Sequence, residues 1–140
     1  MITGMKVWLI LWKSAKAVEK FARKDIESSG VCLSDFAVLE ILLHKKKMPV
    51  NEIGKKVFLT SGSITTSIDR LEDKGYVERV SNSEDRRIKE VILTQRGKSF
   101  IEPVFQNHEI TINAAMQHLT KHEKKTLIEL LKKMGEKMKP

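Results

Sequence analysis

The 140-residue sequence predicts a mainly α-helical fold with one small β-hairpin, an α+β arrangement. Three observations predict it. Apolar residues recur at three- and four-residue steps through most of the chain, the period of helices with one buried face. The period drops to two only in residues 76–80 and 89–93, which are rich in β-branched side chains. Hydrophobic residues make up 41% and charged residues 31%, a balance that builds a core and is not that of a disordered tail.

Residues 5–28 read as a long helix, with Trp8, Leu11, Trp12, Ala15, Val18, Ala22 and Ile26 on its apolar side. Ser28-Ser29-Gly30 ends it, Gly30 being suited to a left-handed cap. Ser34 is placed to cap a second helix to about Lys45, with Val38, Leu39, Leu42 and Leu43 inward. Lys45-Lys46-Lys47-Met48-Pro49 reads as a break. Residues 51–57 form a short third helix with Ile53 and Val57 inward, and Phe58-Leu59 a tight turn.

Thr60 is placed to cap a fourth helix to Lys74, and Gly75 to stop it. The two alternating segments follow as a hairpin whose tip, Ser81-Asn82-Ser83-Glu84-Asp85-Arg86-Arg87, is polar and charged. Thr94 caps a long helix to about His118, in which Pro103 should cause a kink. Thr120 caps a last helix to about Met138, with Leu127, Leu130, Leu131 and Met134 on one face.

The net charge of +8 suggests an anionic partner, nucleic acid before membrane. It is unevenly spread. Residues 45–99 carry thirteen basic and eight acidic side chains, and residues 121–140 carry seven and three. The longest apolar run, Val7-Trp8-Leu9-Ile10-Leu11-Trp12, is far short of a membrane span, and no small-residue cleavage site follows it. No membrane association is expected. The single cysteine, Cys32, excludes an internal disulfide framework and fits a reducing, cytoplasmic setting.

Two short helices joined by a tight turn form a helix-turn-helix candidate, and the basic hairpin behind them would be a wing. At about 100° per residue, Ile64, Ile68 and Leu71 of the fourth helix fall in one stripe that must face the core. The opposite side presents Gly62, Ser63, Thr66 and Arg70, flanked by Thr65 and Asp69. A merely solvated face would favour Glu, Lys and Gln. Here Ser61, Ser63, Thr65, Thr66 and Ser67, all poor helix formers, crowd the first half of the helix. Small residues let a helix sink into a major groove. Hydroxyls reach phosphates or base edges, and Arg70 could fork onto a guanine. Ser61, Gly62 and Ser63 sit where free N–H groups favour phosphate, Thr60 before them joins the expected DNA contacts, and Lys55 and Lys56 are placed for further phosphate contacts. Arg86 and Arg87 form a thin tip suited to a narrow minor groove, and Asp85 could hold one of them by a fork-like pair.

Several stretches carry a family resemblance: Leu33-Ser34 with Ala37-Val38-Leu39, Ile53-Gly54, Ser63-Ile64-Thr65, and the run from Leu71 to Arg79. The most specific are Asp85-Arg86-Arg87 and Leu93-Thr94-Gln95-Arg96-Gly97. Together these resemble the MarR family of bacterial transcription regulators, closely over residues 33–99. The resemblance implies a homodimeric winged helix-turn-helix protein that binds a pseudo-palindromic operator on double-stranded DNA. Such proteins usually repress genes until a small molecule or an oxidant releases them. It also makes Arg87 the minor-groove arginine and places Arg86 nearer the phosphates. Residues 33–94 would be the DNA-binding lobe, and residues 1–32 and 95–140 the helical dimerisation region. Val7, Leu11, Phe100, Ile101, Leu127, Leu131 and Met134 are expected to need a partner's surface.

The sensing mode is less sharply marked. An aromatic ring held by Trp8 and Phe36, with hydroxyls bonded by Glu40 and His108, would suit a phenol or hydroquinone. The stretches 33–40 and 61–65 also resemble the quinone-responsive branch of the family. Cys32 supports a rival, redox-sensing mode, although its neighbours Val31 and Leu33 do nothing to activate a thiol. His118 and His122 have no trustworthy metal-ligand spacing, and neither metal nor cofactor is expected. No phosphate loop, nucleophile elbow or metal-binding helix points to an enzyme. A non-regulatory architectural nucleic-acid binder is the remaining alternative.

Overall fold

The computed structural model describes residues 1–57, 59 and 61–139, residue 61 by its backbone alone. The elements are α1 (Gly4–Glu27), α2 (Leu33–Lys45), β1 (Lys47–Pro49), α3 (Val50–Lys56), α4 (Ser61–Asp73), β2 (Val77–Ser81), β3 (Lys89–Leu93), α5 (Gln95–Ala115) and α6 (Lys121–Lys137). The mainly α fold with a β-hairpin wing is therefore present. The chain divides into two compact units, Met1–His108 and the segment from Glu109 onward.

The first unit is built around a core of aliphatic side chains. Val38, Leu39 and Leu42 of α2 meet Ile53 of α3, Ile64, Ile68 and Leu71 of α4, Val77 and Val91 of the hairpin, and Ile101 of α5, all almost fully buried. The α4 stripe is the one that the periodicity singles out. Leu43 is only half-buried, and Phe36 belongs to the core. Two of the residues expected to need a partner's surface are instead covered by the chain itself. Ile101 is buried within its own unit, and Phe100 packs there, its ring stacked on Tyr76 with centroids 4.5 Å apart. Val7 remains exposed and Leu11 half-buried.

Two local expectations also change. Ser34 does not cap α2. Cys32 holds the cap position without a side-chain hydrogen bond, and Ser34 lies inside the first turn with its Oγ 3.2 Å from the Cys32 Sγ. The break at residues 45–49 contains a strand. After Lys46 takes a left-handed φ of 69°, β1 pairs antiparallel with β3, Met48 opposite Val91. The sheet order is β1-β3-β2, so β3 is central. A three-residue strand ending in proline is too short to show alternation, and proline is tolerated there because β1 lies on an edge. Thr60, expected to cap α4, and Phe58, expected in the turn, lie outside the described residues. Helix α5 runs through Pro103 without ending.

The start of α5 is fastened to the turn between α4 and β2. Gly75 ends α4 with φ of 79°. The Thr94 N–H donates to the Tyr76 carbonyl at 3.0 Å, and the Thr94 hydroxyl donates to the Gly75 carbonyl. Its oxygen also accepts from the Gly97 N–H at 3.0 Å, capping the helix. Gly97 leaves no room for a side chain, because a Cβ there would lie 1.9 Å from the Tyr76 carbonyl oxygen. The Leu93–Gly97 signature is thus a helix-to-turn junction.

In the second unit, Thr120 and Glu123 form a capping box at the start of α6. The Thr120 hydroxyl accepts from the Glu123 N–H at 3.1 Å, and Glu123 accepts from the Thr120 N–H at 2.9 Å. These bonds hold the Glu123 carboxyl below its ordinary range. Among its described residues α6 buries none, and Leu127, Leu130 and Leu131 stand exposed.

Gly97→Ala is expected to destabilise the protein by about 3 kcal/mol, as overpacking against backbone does. Thermal unfolding at fixed protomer concentration measures this, and an unchanged midpoint would contradict the junction.

Candidate nucleic-acid interface

Helix α4 is oriented by an ion pair that no local sequence pattern announces. Asp35, in the first turn of α2, is buried with its side chain 3% exposed. The Arg70 guanidinium forks onto it, Nε donating to Oδ2 at 3.1 Å and Nη2 to Oδ1 at 2.8 Å. The buried Ser67 hydroxyl donates to the same Oδ1. Burial alone would push the Asp35 carboxyl up. The Arg70 and Ser67 hydrogen bonds, with Arg70's charge and a smaller contribution from Cys32, reverse this and hold it below its ordinary range. Arg70 is correspondingly held charged.

This geometry alters the role expected of Arg70. The edge that would fork onto a guanine is engaged by Asp35, although the side chain is about half exposed. Arg70 therefore anchors the helix through Nε and Nη2, which leaves Nη1 as the nitrogen outside the fork. The rest of the outer face is as expected, with Gly62, Ser63, Thr65, Thr66 and Asp69 exposed. The Thr66 hydroxyl donates to the Gly62 carbonyl at 3.0 Å, so outward it serves as an acceptor. Ser34, Leu59, Gly62, Ser63, Thr66 and Arg70 line a concavity of about 490 Å³ beside this face. At the far end of α4, Arg79 of β2 bonds Asp69 at 2.7 Å and Glu72 at 2.6 Å, tying the hairpin to the helix. Lys55 and Lys56 are exposed on the last turn of α3.

The wing tip bears the expected fork. Arg87 Nε and Nη2 donate to the two Asp85 oxygens at 3.1 and 3.0 Å, and the Arg87 N–H donates to Asp85 Oδ1 at 3.0 Å. These bonds hold the Asp85 carboxyl below its ordinary range. The Arg87 side chain is nonetheless 90% exposed, so its charge is presented outward from a fixed base. Arg86 is exposed beside it. Between wing and α4 runs a second groove of about 360 Å³, lined by residues that include Asn51, Thr65, Arg87 and Lys89.

Each of the four residues suggested for an effector has a neighbour within the chain. His108 Nδ1 lies 2.7 Å from Asp25 Oδ2 on α1, and its ring meets Phe36 edge-on with centroids 5.1 Å apart. Glu40 instead pairs with His44 on its own helix, at 3.6 Å, and His44 packs against Phe105. Trp8 stacks on Trp12 at 5.8 Å and is more than half exposed. Asp25 carries no signal in the sequence because its partner is 83 residues away. Among the described residues no cluster of His, Cys, Asp and Glu could hold a metal ion.

Residues 33–89 match the model of the MarR family. The HTH-type transcriptional regulator MhqR of Bacillus subtilis is 32% identical over 132 residues, covering 94% of this chain and 91% of that protein. The uncharacterized HTH-type transcriptional regulator YkoM of the same organism is 30% identical over 132 residues, covering 94% and 86%. A crystal structure of a mutant MarR from E.coli complexed with operator DNA has a TM-score of 0.82 at 25% identity, covering 92% of this chain and 93% of that one.

Removing Arg70 would leave Asp35 buried without its counter-charge. Arg70→Ala is expected to cost about 2 kcal/mol at neutral pH, less than a fully buried pair because Arg70 is half exposed. The Asp35 carboxyl is depressed in the folded wild type, so its contribution is complete above the ordinary carboxylate range and fades as pH falls through and below it. The gap between wild type and variant should therefore narrow toward about pH 3.5. Urea unfolding at several pH values checks this, and a gap independent of pH would contradict it.

Proposed function

The chain belongs to the MarR family of transcription regulators, and from that premise we propose that it works as a homodimeric repressor on a pseudo-palindromic operator. The family's members are regulators and not catalysts, so an enzymatic role is set aside. The observation that carries the reading is Arg87, 90% exposed yet clamped by Asp85 beside a recognition helix with a small, hydroxyl-bearing outer face. A guanidinium fixed in this way enters a narrow minor groove at a lower ordering cost than a free one. The face of α4 bearing Ser63, Thr65 and Thr66 would lie in the adjacent major groove, with Lys55, Arg86 and the Nη1 of Arg70 near phosphates. Thr60 and Ser61, expected from the sequence to open the recognition helix, complete the proposed contact set.

In this reading residues 33–94 form the DNA-binding lobe, and residues 1–32 with 95–140 pair two chains. The exposed apolar residues of α1 and, separately, those of α6 support that division. Two copies of α4 would then sit about one turn of DNA, ~34 Å, apart. A genomic operator would call for a cytoplasmic protein, and no described helix is long and apolar enough to cross a membrane.

For release we propose a small aromatic effector of the phenol or quinone type, with its donors reassigned. A ring near Phe36 would meet the His108–Asp25 pair, and Glu40 would stand outside the first contacts. A second release mode has one specific observation behind it. Arg70 Nη2 lies 3.9 Å from Cys32 Sγ, which gives the thiol the positive neighbour that its sequence surroundings lack.

A footprint on the upstream region of its own gene is expected to show a protected palindrome. Arg87→Ala should weaken binding by roughly 10- to 100-fold. Affinity should fall steeply with salt. Protection without regard to sequence would favour the architectural alternative. Calorimetry with hydroquinone is expected to show binding that His108→Ala weakens and Glu40→Ala leaves unchanged, and unchanged affinity in His108→Ala would overturn the pocket. If Cys32→Ser kept its full response to oxidants, thiol sensing would be excluded.

A further inference from the structure

We propose that Asn82 and Glu90 are positioning residues for the wing arginine, forming a relay from the central strand of the sheet to the tip. The inference deepens the DNA-binding reading and rests on it for its consequence. An exposed arginine samples many rotamers, and fixing it costs conformational entropy. Asp85 supplies the fork that limits Arg87, but Asp85 is itself on a hairpin tip and must be held.

Asn82 holds it. Its Oδ1 accepts from the Asp85 N–H at 3.0 Å and from the Glu84 N–H at 2.8 Å, closing the loop around one amide oxygen. Its Nδ2 donates to Glu90 Oε1 at 3.0 Å. Both ends of the amide are engaged, which fixes its orientation. Glu90 lies on β3, with β1 on one side and β2 on the other, opposite Pro49 and Val80. Its side chain is only 9% exposed, and the nearest cation is Lys47, 4.0 Å away. A nearly buried carboxylate is a costly choice where packing alone is needed. Here it gives the amide a nearly buried acceptor on the central strand of the sheet.

The test has two readouts. One needs no DNA: side-chain relaxation of the Arg87 Nε–H in the full-length protein. Asn82→Ala is expected to loosen it, while Glu90→Gln, which keeps an oxygen facing Asn82, leaves it ordered. The second is affinity for a duplex that the wild-type protein selects from a randomised pool. Asn82→Ala should weaken this by roughly tenfold, within the range expected for losing one groove-contacting arginine. In an Arg87→Ala background the same change should cost less than about twofold, because the relay acts through Arg87. Circular dichroism confirms that each variant folds. An Arg87 signal as ordered in Asn82→Ala as in wild type, or an equal loss of affinity with and without Arg87, would overturn the relay. If wild type selects no duplex, the DNA reading fails by itself, and the Arg87 order still decides the relay.

Discussion

The Asp35 carboxylate is buried at the seam between α2 and α4, and a buried charge is stable only where its partners are held in place. Two of those partners, Ser67 and Arg70, lie on α4, three residues apart, and both bond the same carboxylate. Rotating α4 on its axis would break both together. The apolar stripe of Ile64, Ile68 and Leu71 lets the helix pack, and the carboxylate sets its angle. That angle decides which residues face outward, so the reading surface depends on a side chain that does not reach it.

The hairpin is attached to this frame at several points. Arg79 bonds Asp69 and Glu72 of α4, and Thr94 and Gly97 seat the start of α5 on the Gly75–Tyr76 turn. The base of the wing is therefore tied to the recognition helix through Arg79. Cys32 lies within reach of Arg70, and Phe36 lies next to Asp35 along α2. Both residues therefore adjoin the carboxylate that α2 carries. In a two-state switch, this shared element is what a ligand or an oxidant would bias.

Much of the site is legible in the sequence because its residues are local. The Asp85–Arg87 fork spans two residues, and the α4 stripe follows from period alone. Partners far apart in the chain leave no such trace. Nothing near Arg70 shows that its fork is already occupied, because Asp35 is 35 residues away. Spacing and chemistry suggest one ligand for Glu40 and His108, whereas each has a closer partner in the fold. Periodicity assigns a residue to a face, but it does not say which group on another element faces it.

The helix order, the hairpin, the inward stripe of the fourth helix and the basic tip are all written in the sequence, since they follow from spacing, capping and side-chain chemistry along a single stretch. Tertiary packing was needed to bring residues 47–49 into the sheet, to turn Arg70 into an anchor before it can read, and to set Glu90 behind the wing. Each of those depends on a hydrogen bond or ion pair between separate elements. Such pairs form only after the apolar faces have packed and set the distances, so no local pattern encodes them.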